Sequence, residues 1–207
     1  MAKQYQALFL LLSVSYLFSS ELTTATISPT GTSTKALNFI QSSCKSTTYQ
    51  SLCVETLSVY ANTIKTSPRR LLDAAIAVSL NQALSTKLFI SHLRKSPFQT
   101  LQDCAPSTDT FNTDCQCSIE ELQEVENCNG WTECLSKINN AEVCAIAGES
   151  HSVENTCSSP FAGPVKMSVQ GRISDAVRKS LQTRFAKLHQ EINNAKLLFK
   201  AFPNNHK

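Results

Sequence analysis

SPRRLLDAAIAVSLNQALSTKLFISHLRKSP, Ser67–Pro97, decides the fold class. Ser67-Pro68 is a helix start: a side chain able to cap free N–H groups, then the proline tolerated at the first helical position. Leu72, Ile76, Leu80, Leu84 and Leu88 recur every fourth residue through Arg94, no glycine interrupts them, and Ser96-Pro97 ends the run. The spacing predicts one amphipathic helix of about 27 residues, about 40 Å long.

The C-terminal third repeats the pattern more cleanly. Leu181, Phe185, Leu188, Ile192, Ala195 and Phe199 alternate steps of four and three, the seam of a helix packed at a shallow angle in a bundle. Arg178, Lys179, Arg184, Lys187 and Lys196 read as its solvated outer face. Between these helices the signal weakens. Leu101–Cys104 resumes a helix, but Pro106 and Ser107–Asp114 (STDTFNTD) are poor helix material. Ser118–Glu126 (SIEELQEVE) recovers, with Ser118 and Glu121 spaced as a capping box and Asn129-Gly130 as its close. A shorter helix over Glu133–Ala147 follows, then polar His151–Ser159 and a loop holding Pro160 and Pro164. No strand alternation competes with these helices.

Upstream, FIQSSCKSTTYQSLCVETL, Phe39–Leu57, sets Cys44 and Cys53 nine positions apart. On one straight helix the two thiols would face opposite sides, so a bond requires a bend. Thr47, Thr48 and Tyr49 weaken helix continuation at that point, which predicts two short helices folded back and stapled; the bland alternative is two unrelated buried thiols. The expected fold is therefore all-α: an up-and-down four-helix bundle preceded by a short disulfide-stapled N-terminal helical hairpin.

The staple depends on compartment. Lys3, the apolar run Ala7–Phe18 and the small, polar Ser19–Thr26 read as a signal peptide over 1–25, with cleavage near Ala25, where Thr23 and Ala25 supply small side chains, or at Ser20. The run is too short to span a bilayer, and no later segment approaches twenty apolar residues. The expected product is secreted and extracellular, with a polar lead-in over 26–34 and one domain over 35–202. Nineteen Lys and Arg against 16 Asp and Glu give a mild +3, which implies no nucleic-acid partner. Five glycines in 207 residues argue against long linkers or repeats.

Catalytic chemistry finds little support. His92, His151, His189 and His206 are dispersed without metal-ligand spacing. Cys115-Gln116-Cys117 with Cys128 has the look of a metal clip, but an oxidising exterior and the lack of a second ligand pair argue against it. Gly148–Ser152 (GESHS) is like a nucleophile elbow without its final glycine or preceding strand. Glu120, Glu121, Glu124 and Glu126 read as a solvated acidic face. Neither a catalytic residue, a metal nor a cofactor is expected.

These residues carry a family resemblance. C-x8-C in Phe39–Leu57, AAIAVSL at Ala74–Leu80, LQDC at Leu101–Cys104, ENTC at Glu154–Cys157 and INNAKLLF at Ile192–Phe199 resemble, in order and spacing, the plant invertase and pectin methylesterase inhibitor domain. The resemblance spans about Lys35 to Phe202 and implies two disulfides, Cys44 to Cys53 and Cys104 to Cys157, the second closing a loop of about 50 residues worth of order 4 kcal/mol. It also implies a secreted, non-catalytic protein of the apoplast that binds a cell-wall or vacuolar carbohydrate enzyme one to one and covers its active-site cleft. Pectin methylesterase is the preferred partner and acid invertase the alternative, because the Pro-Lys-Phe element in which invertase-directed members resemble one another is missing from Ile138–Val143 (INNAEV). The partner-contact residues are left unassigned.

Two departures qualify the resemblance. Ala105–Gln116 (APSTDTFNTDCQ) stands where members usually continue an amphipathic helix, so a break there is expected and inhibition itself comes into question. Cys115, Cys117, Cys128, Cys134 and Cys144 are additional, and an odd set leaves at least one thiol free or bridging two monomers; Cys115 and Cys117 are too close in a regular element to pair with each other. A secreted cysteine-rich lipid-binding protein, the competing class, would use a C-x-C such as Cys115 and Cys117 but also an adjacent cysteine pair, which does not occur.

Overall fold

The computed structural model describes residues 31–95, 105–154 and 169–203, all within one unit, Gly31–Lys207. The expected leader, residues 26–30, His206, and both Cys104 and Cys157 lie outside the described residues. Seven helices and no strand occur among those described: α1 Gly31–Cys44, α2 Gln50–Ser58, α3 Ala61–Ile64, α4 Pro68–Arg94, α5 Ala105–Glu124, α6 Trp131–Glu154 and α7 Val169–Ala201. The four long helices pack as a ring in which α4 and α6 each touch both α5 and α7. The fold is an all-α bundle, with α1, α2 and α3 laid against α4 and α7.

Helix α4 begins as expected, the Ser67 hydroxyl accepting the Arg70 N–H at 3.4 Å. Its apolar stripe differs. Leu72 and Ile76 are buried, but Leu84 is 39% and Leu88 61% exposed. A step of four residues overshoots one turn by about 40°, so four steps carry the stripe about 160° around the helix. The inward seam is Leu72, Ile76, Ser79, Ala83, Thr86 and Ile90, in alternating steps of four and three. Ser79 and Thr86 are buried there because their hydroxyls donate to the carbonyls of Ala75 and Gln82.

The expected break after Ala105 is also absent: α5 is continuous to Glu124. Pro106 stands in the first turn, where its missing N–H costs nothing. Phe111, Cys115, Ile119 and Leu122 then bury one face, and that burial outweighs the low propensity of the threonines and aspartates between them. Ser118 is no cap. It lies inside α5, fully buried, and its hydroxyl is 3.1 Å from the Asp114 carbonyl and 3.3 Å from that of Ala141 on α6. Gly130, with φ of +92°, belongs to the entry of α6, where the Asn129 N–H donates to Glu133 Oε2 at 2.8 Å. Helix α6 runs on through His151 to Glu154, beyond the expected end at Ala147.

Helix α7 carries the seam read from the sequence, with Leu181, Phe185, Leu188, Ile192, Ala195 and Phe199 all buried. The Phe185 ring packs 5.8 Å from that of Phe111 on α5 and lies directly over Gly148 of α6. A Cβ at Gly148 would come within 2.1 Å of Phe185 Cε1, so only glycine admits the ring.

In the hairpin Cys44 and Cys53 are bonded, with Cα atoms 5.7 Å apart. Residues 31–34, expected as lead-in, are already helical. Tyr49 opens α2 without a side-chain cap; its N–H and carbonyl instead pair with Asn194 of α7 at 3.0 Å each. Beneath the hairpin a small cavity is lined by Cys53, Leu57, Ala75, Asn194 and the carboxylate of Glu191. Burial pushes Glu191 up to about 7, against the pull of Lys187 and with help from Glu55.

Phe185→Ala is expected to cost about 3 to 5 kcal/mol in denaturant titration, as for other large buried aromatics. Gly148→Ala should cost about 1 to 3 kcal/mol through overpacking, more than the helix propensity it gains. A raised carboxyl contributes stability that is complete below its unfolded value and lost as pH rises to its folded one. The protein should therefore lose of order 2 kcal/mol between about pH 4.5 and 7, a slope that Glu191→Gln removes in denaturation midpoints measured across that range.

Candidate functional site

Helices α5, α6 and α7 place most of the polar side chains singled out in the sequence, and they are joined in pairs across helix seams. His151 Nδ1 lies 2.8 Å from Asp114 Oδ2, joining α6 to α5. His189 Nδ1 lies 3.0 Å from Glu149 Oε2, joining α7 to α6. Glu142, 8% exposed, accepts from Asn193 at 2.7 Å and is ion-paired to Lys196. Burial works to raise the Glu142 carboxyl, but the hydrogen bonds of Lys196 and Asn193 and the Lys196 charge outweigh it and hold the group below its ordinary value. Lys196 is thus committed to a seam and is not part of the solvated face in which the sequence put it. His92 lies on α4, its Nδ1 2.8 Å from the Leu88 carbonyl.

No catalytic constellation emerges from these pairs. Gly148–Ser152 is helical throughout; Gly148 serves the Phe185 ring, Ser150 is exposed, and His151 is turned to Asp114. A nucleophile and base within reach of each other are what such chemistry needs, and here they point apart. The acidic run divides: Glu121 and Glu124 both meet Lys137 of α6, and Glu120 accepts from Gln116.

The additional cysteines are structural. Cys117 pairs with Cys144, and Cys128 with Cys134, so α5 and α6 are crosslinked midway and at their connection. Two of the three sulfurs of the metal-clip pattern, Cys117 and Cys128, are therefore used, and no group of three metal-ligating side chains occurs among the described residues. Among the described residues Cys115 is the one free thiol. It is fully buried, and desolvation together with Asp114 pushes it up to about 12, so it can neither bridge to a second chain nor act as a nucleophile. Sequence reasoning left these pairings open because helix neighbours 27 residues apart carry no local signal.

The outer faces are what remains for contact. In Ile138–Val143 the helix buries Ile138, Ala141 and Glu142 and turns Asn139, Asn140 and Val143 outward, with Ile146 beside them. Helix α4 exposes Leu84 and Leu88. On α7, Lys179, Thr183 and Lys187 form an exposed ridge.

Comparison with known proteins supplies the class. Pectinesterase inhibitor 11 of Arabidopsis thaliana is 36% identical over 211 residues, covering 98% of both chains. Pectinesterase inhibitor 9 of the same plant is 27% identical over 83% of this chain and 82% of its own. A 21 kDa protein of Daucus carota is 28% identical over 69% of this chain and 74% of its own. No solved structure matches. The family pattern described as plant invertase/pectin methylesterase inhibitor matches residues 38–197. Family and pectinesterase-inhibitor relatives alike are named as inhibitors, so the chain is not an enzyme; it belongs to the plant invertase/pectin methylesterase inhibitor family.

Proposed function

We propose that this chain is a secreted inhibitor of pectin methylesterase, which it binds one to one and silences by covering the active-site cleft. The observation that carries the reading is the end-to-end similarity to a pectinesterase inhibitor, 36% over 98% of both chains. Acid invertase, the other target class in the family's description, is the second reading. Against it stands Ile138–Val143, which lacks the Pro-Lys-Phe element of invertase-directed relatives.

Physical features favour blockade over chemistry. A bundle whose seams are crosslinked and ion-paired presents its helix faces already ordered, so little conformational entropy is lost on docking. The continuous α5 supports the reading, since Ala105–Gln116 is helical and not the break expected there. Three disulfides among the described residues fit an oxidising compartment and hence export to the cell wall. No helix among the described residues is long and apolar enough to cross a membrane. With Cys115 sealed in the core, it offers no thiol for an intermolecular bridge, in keeping with a monomeric inhibitor.

Titration of the purified protein against pectin methylesterase and acid invertase side by side tests the reading. Esterase activity should fall linearly to an equivalence point of one inhibitor per enzyme, be indifferent to a chelator, and be restored when the inhibitor is reduced and unfolded. Inhibition of invertase alone would reverse the choice of target, and turnover of a pectic substrate by the protein itself would end the inhibitor reading.

A further inference from the structure

Charge is sorted between the bundle helices far beyond the mild net value of the chain. Helix α4 carries four Lys and Arg against one Asp, and α7 seven against two carboxylates. Helix α5 has no Lys or Arg and five carboxylates, and α6 one Lys against four. Around the ring α4 lies beside α7 and α5 beside α6, so like charges are neighbours. One half of the bundle thus holds eleven cations against three carboxylates, and the other one cation against nine. Alternating signs around the ring would have made all four seams complementary; this order makes two seams complementary, sets like against like at the other two, and polarises the molecule. Internal stability does not ask for that order, whereas a charged external ligand does.

The basic flank also has the form of a binding surface. Lys179, Thr183 and Lys187 are the exposed ridge of α7, spanning about 12 Å at helical rise, and the Lys187 side chain is 46% exposed. Beside the ridge is a shallow depression lined by Lys179, Ser180, Gln182, Thr183 and Arg184. Arg184 is held in place there, its guanidinium 4.3 Å over the Phe89 ring and donating to the Ser85 hydroxyl at 3.3 Å. One held guanidinium and exposed lysines among hydroxyl and amide groups suit a ligand that offers both carboxylates and sugar hydroxyls.

We propose that the α4–α7 flank binds de-esterified pectin, a linear polysaccharide bearing carboxylates. This rests on the esterase-inhibitor reading, because hydrolysis of methyl esters is what creates those carboxylates. The inhibitor is then held on the polymer where the enzyme has already worked, and the acidic α5–α6 half is directed away from it.

Co-sedimentation of the full protein with de-esterified and with fully methyl-esterified polygalacturonan, at rising salt, tests the proposal without any enzyme present. Retention on the de-esterified polymer, falling with salt, is expected, with the esterified polymer retaining almost none. Lys179→Gln/Arg184→Gln/Lys187→Gln should weaken retention about tenfold, the sum of three modest surface pairs. Circular dichroism and the single variant Lys179→Gln, at an exposed position, guard against misfolding. Equal retention on both polymers, or an unweakened triple variant, overturns the proposal. So does stronger binding to anionic lipid vesicles at the same salt, or loss of inhibition together with retention in a folded variant. Polymer binding without any esterase inhibition would instead sink the inhibitor reading and leave the surface standing.

Discussion

The bundle is organised by one close approach, the Phe185 ring of α7 seated on the bare backbone of Gly148 in α6 and against Phe111 of α5. Three helices meet at that ring, and the distance between α6 and α7 is set by the absence of a Cβ. The same seam is joined by Glu149 with His189 and by Glu142 with Lys196 and Asn193. Because α6 is also crosslinked to α5 through Cys117 and Cys144, the position of Phe185 propagates to the two helices that carry most of the acidic side chains.

How much of this was legible in the sequence depended on whether a local pattern matched the helical period. The α7 stripe alternated steps of four and three, close to 3.6 residues per turn, and every residue in it is buried. In α4 the leucines stand at strict steps of four and leave the core by Leu84; the inward seam passes through Ser79 and Thr86, polar residues that bury because the helix backbone accepts their hydroxyls. Helix α5 was obscured for the converse reason. Its propensity is poor, and only its partners, absent from any local window, make burial of Phe111 and Cys115 worthwhile. Asp114 with His151 was likewise invisible, as two residues 37 positions apart meet only once α5 and α6 have docked.

Polar groups in this protein are spent on assembly. Ser118, Asn194 and Glu142 would each look like site residues if judged by burial and polarity alone, yet each satisfies a neighbouring helix. Function is left to surfaces, and on those surfaces the information is distributed as charge and shape.

Cys115 gives the fold a particular kind of fragility. Among the described residues it is the one cysteine outside a disulfide, and in the native state its sulfur is shielded twice, by the core around it and by a pKa pushed up to about 12. Opening the bundle removes both shields together. The liberated thiol regains ordinary acidity two positions from Cys117 and can attack the disulfides that staple the helices. Unfolding therefore releases an internal scrambling reagent along with apolar surface, and recovery competes with disulfide exchange. The durability of such a molecule is governed by how rarely it opens, a rate and not an equilibrium.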